Sequence, residues 1–196
     1  MYQVFETILI QPQGIPLFPY HLARMQGVAQ QLWQKTLHVP DLQTELLRQA
    51  EGRVCRCRLL YDADGYQLQT DPWMKRSLHA LHLVHAPHLK YTIKYTDRRA
   101  LQQLLHGLPD AEDVLILQED QLTDTSFSNI ALWSGYEWHT PKHPLLKGCR
   151  RQYLLDSGLI HEKNIPSGSL KQYEKISCIN ALYDLDELVV PLHAVL

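Results

Sequence analysis

Apolar positions recur along this chain in two periods, and the switches between them mark its elements. Val4 to Ile10 reads as a strand, ended by Gln11-Pro12-Gln13-Gly14. From His21 the period changes: Leu22, Met25, Val28, Ala29, Leu32 and Trp33 fall on one face of a helix. Asp41 is placed to cap a second helix through Leu42, Leu46, Leu47 and Ala50, stopped by Gly52. Arg53 to Tyr61 then alternates, with Cys55, Cys57, Leu59 and Tyr61 on one face and Arg56, Arg58 and Leu60 on the other. Asp64-Gly65 fits a hairpin turn into Tyr66 to Gln69.

Leu78, Leu81, Leu83 and Val84 predict a further strand, interrupted at Pro87. Its histidines, His79, His82, His85 and His88, recur every third residue. Strand geometry sends alternate side chains to opposite faces, so they read as connector or surface histidines and no metal site is expected. The pattern changes around Pro87 to Leu89, which places a boundary between a first lobe, 1–88, and a second, 89–196. In the second lobe Arg98 to Gly107 reads as a helix. Val114 to Leu117 reads as a buried strand, Gln118 to Gln121 as a turn, and Ile130 to Trp133 as another strand. Ser134-Gly135 turns the chain, and a loop from Thr140-Pro141 to Lys147-Gly148 leads to a helix capped by Gly158. A strand is expected over Leu159 to Ile165, a helix from Leu170 to about Asp184, and a short closing strand or loop at Leu188 to Pro191. Strands alternating with helices in two halves predict α/β or α+β lobes.

Composition narrows the partners. A chain of 196 residues, 45% hydrophobic and 20% charged, is long enough to bury a core. Its net charge of −2 gives no electrostatic case for nucleic acid or an anionic membrane. Cys55, Cys57, Cys149 and Cys178 match neither a disulfide framework nor a zinc spacing, which points to reduced thiols and a cytoplasmic location. Glu6 interrupts the amino-terminal apolar stretch, which lacks a basic flank, so no signal peptide is expected. No apolar run approaches membrane-spanning length.

Chemistry concentrates in the second half. Leu122-Thr123-Asp124-Thr125-Ser126 surrounds one carboxylate with hydroxyls, between two apolar runs. Lys94 stands thirty residues earlier, in Tyr91 to Arg98, and Leu145-Leu146-Lys147-Gly148-Cys149-Arg150-Arg151 follows. With Phe5-Glu6-Thr7-Ile8 and His21-Leu22-Ala23-Arg24 at the start, these segments in this order resemble the class IV aminotransferases. That pyridoxal-phosphate family includes branched-chain and D-amino-acid aminotransferases and aminodeoxychorismate lyase. The resemblance covers nearly the whole chain. It implies an α+β, two-lobed fold like that of D-amino-acid aminotransferase, a small amino-terminal lobe with a larger carboxy-terminal lobe built on a barrel-like sheet. It also implies a homodimer and a small amino substrate.

Pyridoxal phosphate needs a lysine for its aldehyde, an acid facing its pyridine nitrogen and a cradle for its phosphate. Lys94 falls where the family's Schiff-base lysine falls, near Arg98 and Arg99, and Lys90 is the near rival. Asp124 falls at the place of the acid, where the family usually has glutamate; aspartate is one methylene shorter. Asn129 matches a supporting asparagine. For the phosphate, Arg24 matches the arginine of a His-x-x-Arg motif. Gly148-Cys149-Arg150 matches a Gly-Ile-Thr segment whose N–H groups meet the phosphate at a helix start. Asn180 falls where the family has a small polar residue. Arg150 replaces a threonine hydroxyl with a charge. Arg56, Arg58, Arg99 and Arg151 are the candidates for a substrate carboxylate, and the pattern does not choose among them. The chain is shorter than typical members, with much of the difference before Lys94.

The resemblance implies transamination through Lys94 first. The alternative is a lyase that forms 4-aminobenzoate and pyruvate, suggested by the Lys94 to Arg98 spacing. A third reading is a cofactor-binding homologue without turnover, suggested by Asp124 and Arg150.

Overall fold

The computed structural model describes residues 3–196. Their contacts divide into two compact units, the chain up to Lys75 with Ile93–Asp97, and Arg76–Thr92 with Arg98–Leu196. This division differs from a single boundary near residue 88. The strand expected to end the first lobe pairs within the second unit, and the segment carrying Lys94 joins the first.

The first unit is an antiparallel sheet of β1 (Val4–Ile10), β2 (Cys55–Tyr61) and β3 (Tyr66–Pro72), in that order. Two helices, α1 (Phe18–Trp33) and α2 (Leu42–Ala50), pack on one face. Alternation decides which face. Val4, Ile8 and Ile10 on β1, with Cys55, Cys57, Leu59 and Tyr61 on β2, meet Met25, Val28, Leu42, Leu46 and Ala50. Burying each of the larger aliphatic side chains contributes roughly 1.5–3 kcal/mol. Helix α1 begins three residues before the expected His21, because Pro19 lies in its first turn, where a missing N–H costs nothing. Asp41 stands at the start of α2, but its side chain makes no capping bond. Helix α2 ends through Glu51 at φ 50° and Gly52 at φ 72°. In the hairpin from β2 to β3, Asp62 Oδ1 accepts the N–H groups of Asp64 and Gly65 at 2.9 and 3.1 Å.

Residues Ile93–Asp97 add to the free edge of β1. Phe5 N–H donates to the Lys94 carbonyl at 3.0 Å, and Thr96 N–H donates to the Gln3 carbonyl at 2.9 Å. Val4 and Tyr95 form an antiparallel bridge. Backbone pairing therefore fixes Lys94 against β1.

The second unit contains β4 (Ala80–His85), α3 (Arg99–Leu104), β5 (Glu112–Gln118), β6 (Gln121–Thr125), β7 (Asn129–Trp133), β8 (Trp138–Pro141), α4 (Cys149–Asp156), β9 (His161–Lys163), β10 (Lys175–Ile179) and β11 (Val189–Pro191). The sheet runs β11-β10-β7-β6-β5-β4, with β8 and β9 branching from β7. The β4–β5 and β8–β9 pairs are parallel and the other pairs antiparallel. After β11, Val195 bridges Leu81 of β4, and Leu196 N–H donates to the Leu81 carbonyl at 2.8 Å. The two ends of the sheet are thereby joined, as a barrel-like sheet requires. Asp113 to Leu117 are buried without alternation, as expected of a strand covered on both faces.

The helix expected from Leu170 to Asp184 is not formed. A 3-10 turn over Ser167–Gln172 leads into β10, which pairs with β7 on one side and β11 on the other. Ile176, Ser177, Cys178 and Ile179 are all buried there, and two neighbouring strands outweigh the local helical pattern. The strand expected over Leu159 to Ile165 shortens to β9, and all three of its residues are exposed. No helix among the described residues is long and apolar enough to cross a membrane.

Candidate active site

The first unit holds Lys94 and Arg24. Lys94 is half-buried, and its Nζ lies 4.7 Å from the centroid of the Phe5 ring. The Arg58 guanidinium lies 4.3 Å from the same centroid. Neighbouring strand residues point to opposite faces, so Phe5 and Glu6 diverge. Glu6 faces the helices and is 1% exposed.

Glu6 collects cations from α1. His21 and Arg24 lie one helical turn apart, which puts both on the face above β1. Arg24 Nε donates to Glu6 Oε1 at 2.8 Å, and Arg24 Nη2 pairs with Oε2. His21 Nδ1 is 2.8 Å from Oε2. Burial pushes the Glu6 carboxyl up, but the Arg24 charge and the bonds from His21 and Arg24 outweigh it and hold it down at about 2. Burial lowers the His21 pKa, the bond to Glu6 opposes this, and the Arg24 and Lys94 charges reinforce it. The Arg24 guanidinium is thus fixed by a carboxylate before any phosphate is considered.

Glu6 was not picked out as a site residue from the sequence. The signal was present: a carboxylate stands among core-facing residues, and a His-x-x-Arg pair on a helix supplies two matching cations.

The second unit holds Asp124, Cys149, Arg150 and Asn180. Asp124, 4% exposed, is the penultimate residue of β6 and pairs with Asn129 of β7. Asn129 Nδ2 donates to Asp124 Oδ1 at 2.8 Å, and Leu146 N–H donates to Oδ2 at 2.9 Å. Burial raises the Asp124 pKa to about 7, although the Asn129 amide, the Leu146 N–H and the Arg151 charge act the other way. Asn129 Nδ2 also donates to the Leu146 carbonyl at 2.7 Å, tying the loop before α4 to the carboxylate.

Gly148 precedes α4 in an extended conformation, and no side chain caps the helix. A Cβ at Gly148 would overlap Asn129 Oδ1, so the close approach of this turn to Asn129 requires glycine. Cys149, buried, opens the helix. The first-turn N–H groups of α4 therefore start beside the Asn129–Asp124 pair.

Arg150 and Asn180 lie together, but their side chains are engaged locally. Arg150 Nη1 pairs with Asp184 at 2.8 Å, and its Nε donates to the Asn180 carbonyl at 3.5 Å. Asn180 Oδ1 accepts the N–H groups of Leu182 and Tyr183 at 2.8 and 3.2 Å, closing a turn after β10. Arg151, 3% exposed, donates to the Pro141 carbonyl at 2.8 Å and pairs with Glu162 at 2.7 Å. It braces α4 against the neighbouring strands.

Two further residues hold the turn after Asp124. Asp113, 1% exposed, accepts the Ser126 N–H and hydroxyl at 3.0 and 2.9 Å. Burial raises its pKa, against those bonds. Arg98 donates to the Ser126 carbonyl.

The sequence model of amino-transferase class IV matches residues 3–185. A solved structure described as a candidate 4-amino-4-deoxychorismate lyase from Haemophilus somnus 129PT is 29% identical, with a TM-score of 0.87, and the match covers 94% of this chain and 98% of that one. A candidate amino-acid aminotransferase from Mesorhizobium loti is 22% identical at a TM-score of 0.83, over 100% of both chains. A hypothetical aminotransferase from Mycobacterium tuberculosis, solved with pyridoxal phosphate bound, is 16% identical at a TM-score of 0.80, over 99% of this chain and 81% of that one. At 22% and 16% the likeness is one of fold. The first two chains share the short span of this one.

Proposed function

This chain belongs to the class IV aminotransferase family, and from that membership we propose that it is a pyridoxal-phosphate enzyme acting on an amino compound, with Lys94 carrying the cofactor. The observation that carries this reading is Asp124. Among the described residues no cation is bonded to this buried carboxylate, which is pushed up to about 7, and a protonated pyridine nitrogen is the partner that would stabilise its charged form. The Asn129 amide donates to one of its oxygens and the Leu146 N–H to the other, and a carboxylate has about four lone-pair sites in all. The uncapped start of α4 fits a phosphate group, since its N–H groups and dipole favour an anion. The residues present therefore fit the cofactor.

In this reading Arg24, held by Glu6, and the first turn of α4 at Cys149 and Arg150 bind the phosphate. Asn180 supports that end through its turn and its carbonyl contact with Arg150. Asp124 holds a proton on the ring nitrogen, and Asn129 keeps Asp124 in place. When bound, the cofactor supplies an electron sink for a bond broken at the substrate's α-carbon. Lys94 takes the proton from that carbon and returns one. The aspartate, one methylene shorter than the family's usual glutamate, is held in one orientation by the β6–β7 pair, the Asn129 amide and the Leu146 N–H.

Transamination is the reaction proposed first, in a homodimer acting on a small amino substrate. The four buried, free cysteines are compatible with a reducing cytoplasm. One observation favours a second reading: the 29% identical structure bears the name of an aminodeoxychorismate lyase candidate. Product analysis separates the two. Purified protein is incubated with a panel of amino donors and, separately, with aminodeoxychorismate. Keto acids with stoichiometric pyridoxamine phosphate support transamination, whereas pyruvate with 4-aminobenzoate supports the lyase. Neither product from a cofactor-loaded protein would overturn both.

A further inference from the structure

We infer that Thr123 is a positioning residue for Asp124: its hydroxyl pins a β-bulge that sets the carboxylate on the face where it meets the loop before α4. This deepens the functional reading above and rests on Asp124 as the partner of the cofactor's ring nitrogen. Leu117 pairs with Leu122 and Leu115 with Thr125, so the β5–β6 register shifts by one residue between them. Thr123 and Asp124 together oppose Ile116, the two-against-one count of a bulge. Carried on without the shift, the Leu117–Leu122 register would set Asp124 opposite Leu115 instead. Side chains alternate between the faces of a sheet, so one residue of slip decides which face the carboxylate takes.

The two faces offer Asp124 different surroundings. Ile116 and Val114 pack with Leu145 and Leu146, the loop before α4. There the Leu146 N–H donates to Asp124 at 2.9 Å, and Asn129 Nδ2 bonds both Asp124 and the Leu146 carbonyl. Leu115 and Leu117, on the other face, are buried and apolar. A carboxylate set beside them would give up its donors while staying out of water, which is costly. Thr123, 2% exposed, donates from Oγ1 to the Ile116 carbonyl at 3.0 Å, straight across the bulge. A bulge interrupts the backbone ladder, and this side-chain bond holds the two strands together where the ladder is broken. Beyond it, Asp113 of β5 takes the Ser126 N–H and hydroxyl, so the bulged segment is tied to β5 on both sides of Asp124.

The test compares Thr123→Val, which keeps the branched shape and removes the donor, with Thr123→Ser, which keeps the donor. In cofactor-free protein, NMR follows the two groups that donate to Asp124. Thr123→Val should speed hydrogen exchange of the Leu146 N–H about tenfold and shift the Asn129 side-chain amide, as expected when one buried hydrogen bond is lost. Thr123→Ser should match wild type in both. The Cys178 N–H, which donates to the Leu188 carbonyl at 2.8 Å, is the reference for general loosening of the sheet. In protein loaded with 15N-labelled pyridoxal phosphate, the pyridine nitrogen should appear protonated in wild type and Thr123→Ser, and should move toward its unprotonated shift in Thr123→Val. Leu146 and Asn129 signals unchanged in Thr123→Val overturn the inference. Equal acceleration at Cys178 does so too, since the bond would then serve stability alone. If Thr123→Val does not fold, Thr123→Ser decides: faster Leu146 exchange with the hydroxyl retained overturns the inference, and wild-type exchange supports it. An unprotonated pyridine nitrogen in wild type contradicts the functional reading of Asp124, while the amide results still decide the role of Thr123.

Discussion

Glu6 and Arg24 form a forked ion pair: Arg24 Nε meets one carboxylate oxygen at 2.8 Å and Nη2 meets the other. The carboxylate belongs to a strand, the guanidinium to a helix, and Glu6 is 1% exposed. The pair therefore couples the stability of the first unit to the orientation of the arginine proposed for phosphate.

Glu6→Gln should destabilise the protein by about 3–5 kcal/mol at neutral pH, because it removes the buried carboxylate charge that Arg24 and His21 share. The loss depends on pH in a definite sense. The folded Glu6 pKa, about 2, lies below the ordinary 4.5, so the contribution is present above 4.5 and is lost as pH falls toward 2. Denaturant midpoints of the two proteins should converge over that window. A gap that stays constant down to pH 2 would contradict the assignment.

Asp124 predicts the opposite slope for protein without cofactor. Its folded pKa, about 7, lies above the ordinary 3.8, so between these values the folded state holds a proton that the unfolded state has released. Its contribution is therefore fully present below 3.8 and fades as pH rises through 7. Asp124→Asn should remove this slope. With cofactor supplied, the same variant should retain binding better than turnover, since it loses the partner of the ring nitrogen. Thermal melts from pH 4 to 8, with cofactor titrations, measure both effects.

Gly148→Ala should act on Asp124 through Asn129. The added Cβ would overlap Asn129 Oδ1, while Asn129 Nδ2 is held by Asp124 and the Leu146 carbonyl. Either the turn before α4 moves or Asn129 gives up a bond. A destabilisation of roughly 1–3 kcal/mol is expected, with weaker cofactor binding. Unchanged affinity for pyridoxal phosphate, measured by fluorescence titration, would show that this turn does not bear on the site.

What the sequence made legible was local. Alternation defined β1 and the buried face of β2, Asp64-Gly65 marked the hairpin, and Gly158, at φ 68°, ended α4 as expected. What escaped was set by distant partners. Residues 170–184 look helical alone, and β10 exists because β7 and β11 flank it. Arg150 looked like a charge added to a phosphate cradle, but Asp184, far along the chain, takes its guanidinium. The Lys94 segment lay beyond the predicted boundary, yet it pairs with residues at the start of the chain. Such pairings leave no trace in a local window, because each strand edge accepts any backbone that reaches it. Glu6 was the partial exception, since a charge among core positions implies a partner without naming it.

The central claim is that Lys94 carries pyridoxal phosphate, and reductive trapping tests it most directly. Purified protein is loaded with the cofactor, reduced with borohydride, digested and mapped by mass spectrometry. The account predicts a reduced pyridoxyl label on Lys94, absent from Lys94→Ala. A label on Lys90 or Lys147, or no bound cofactor after reconstitution, would contradict it.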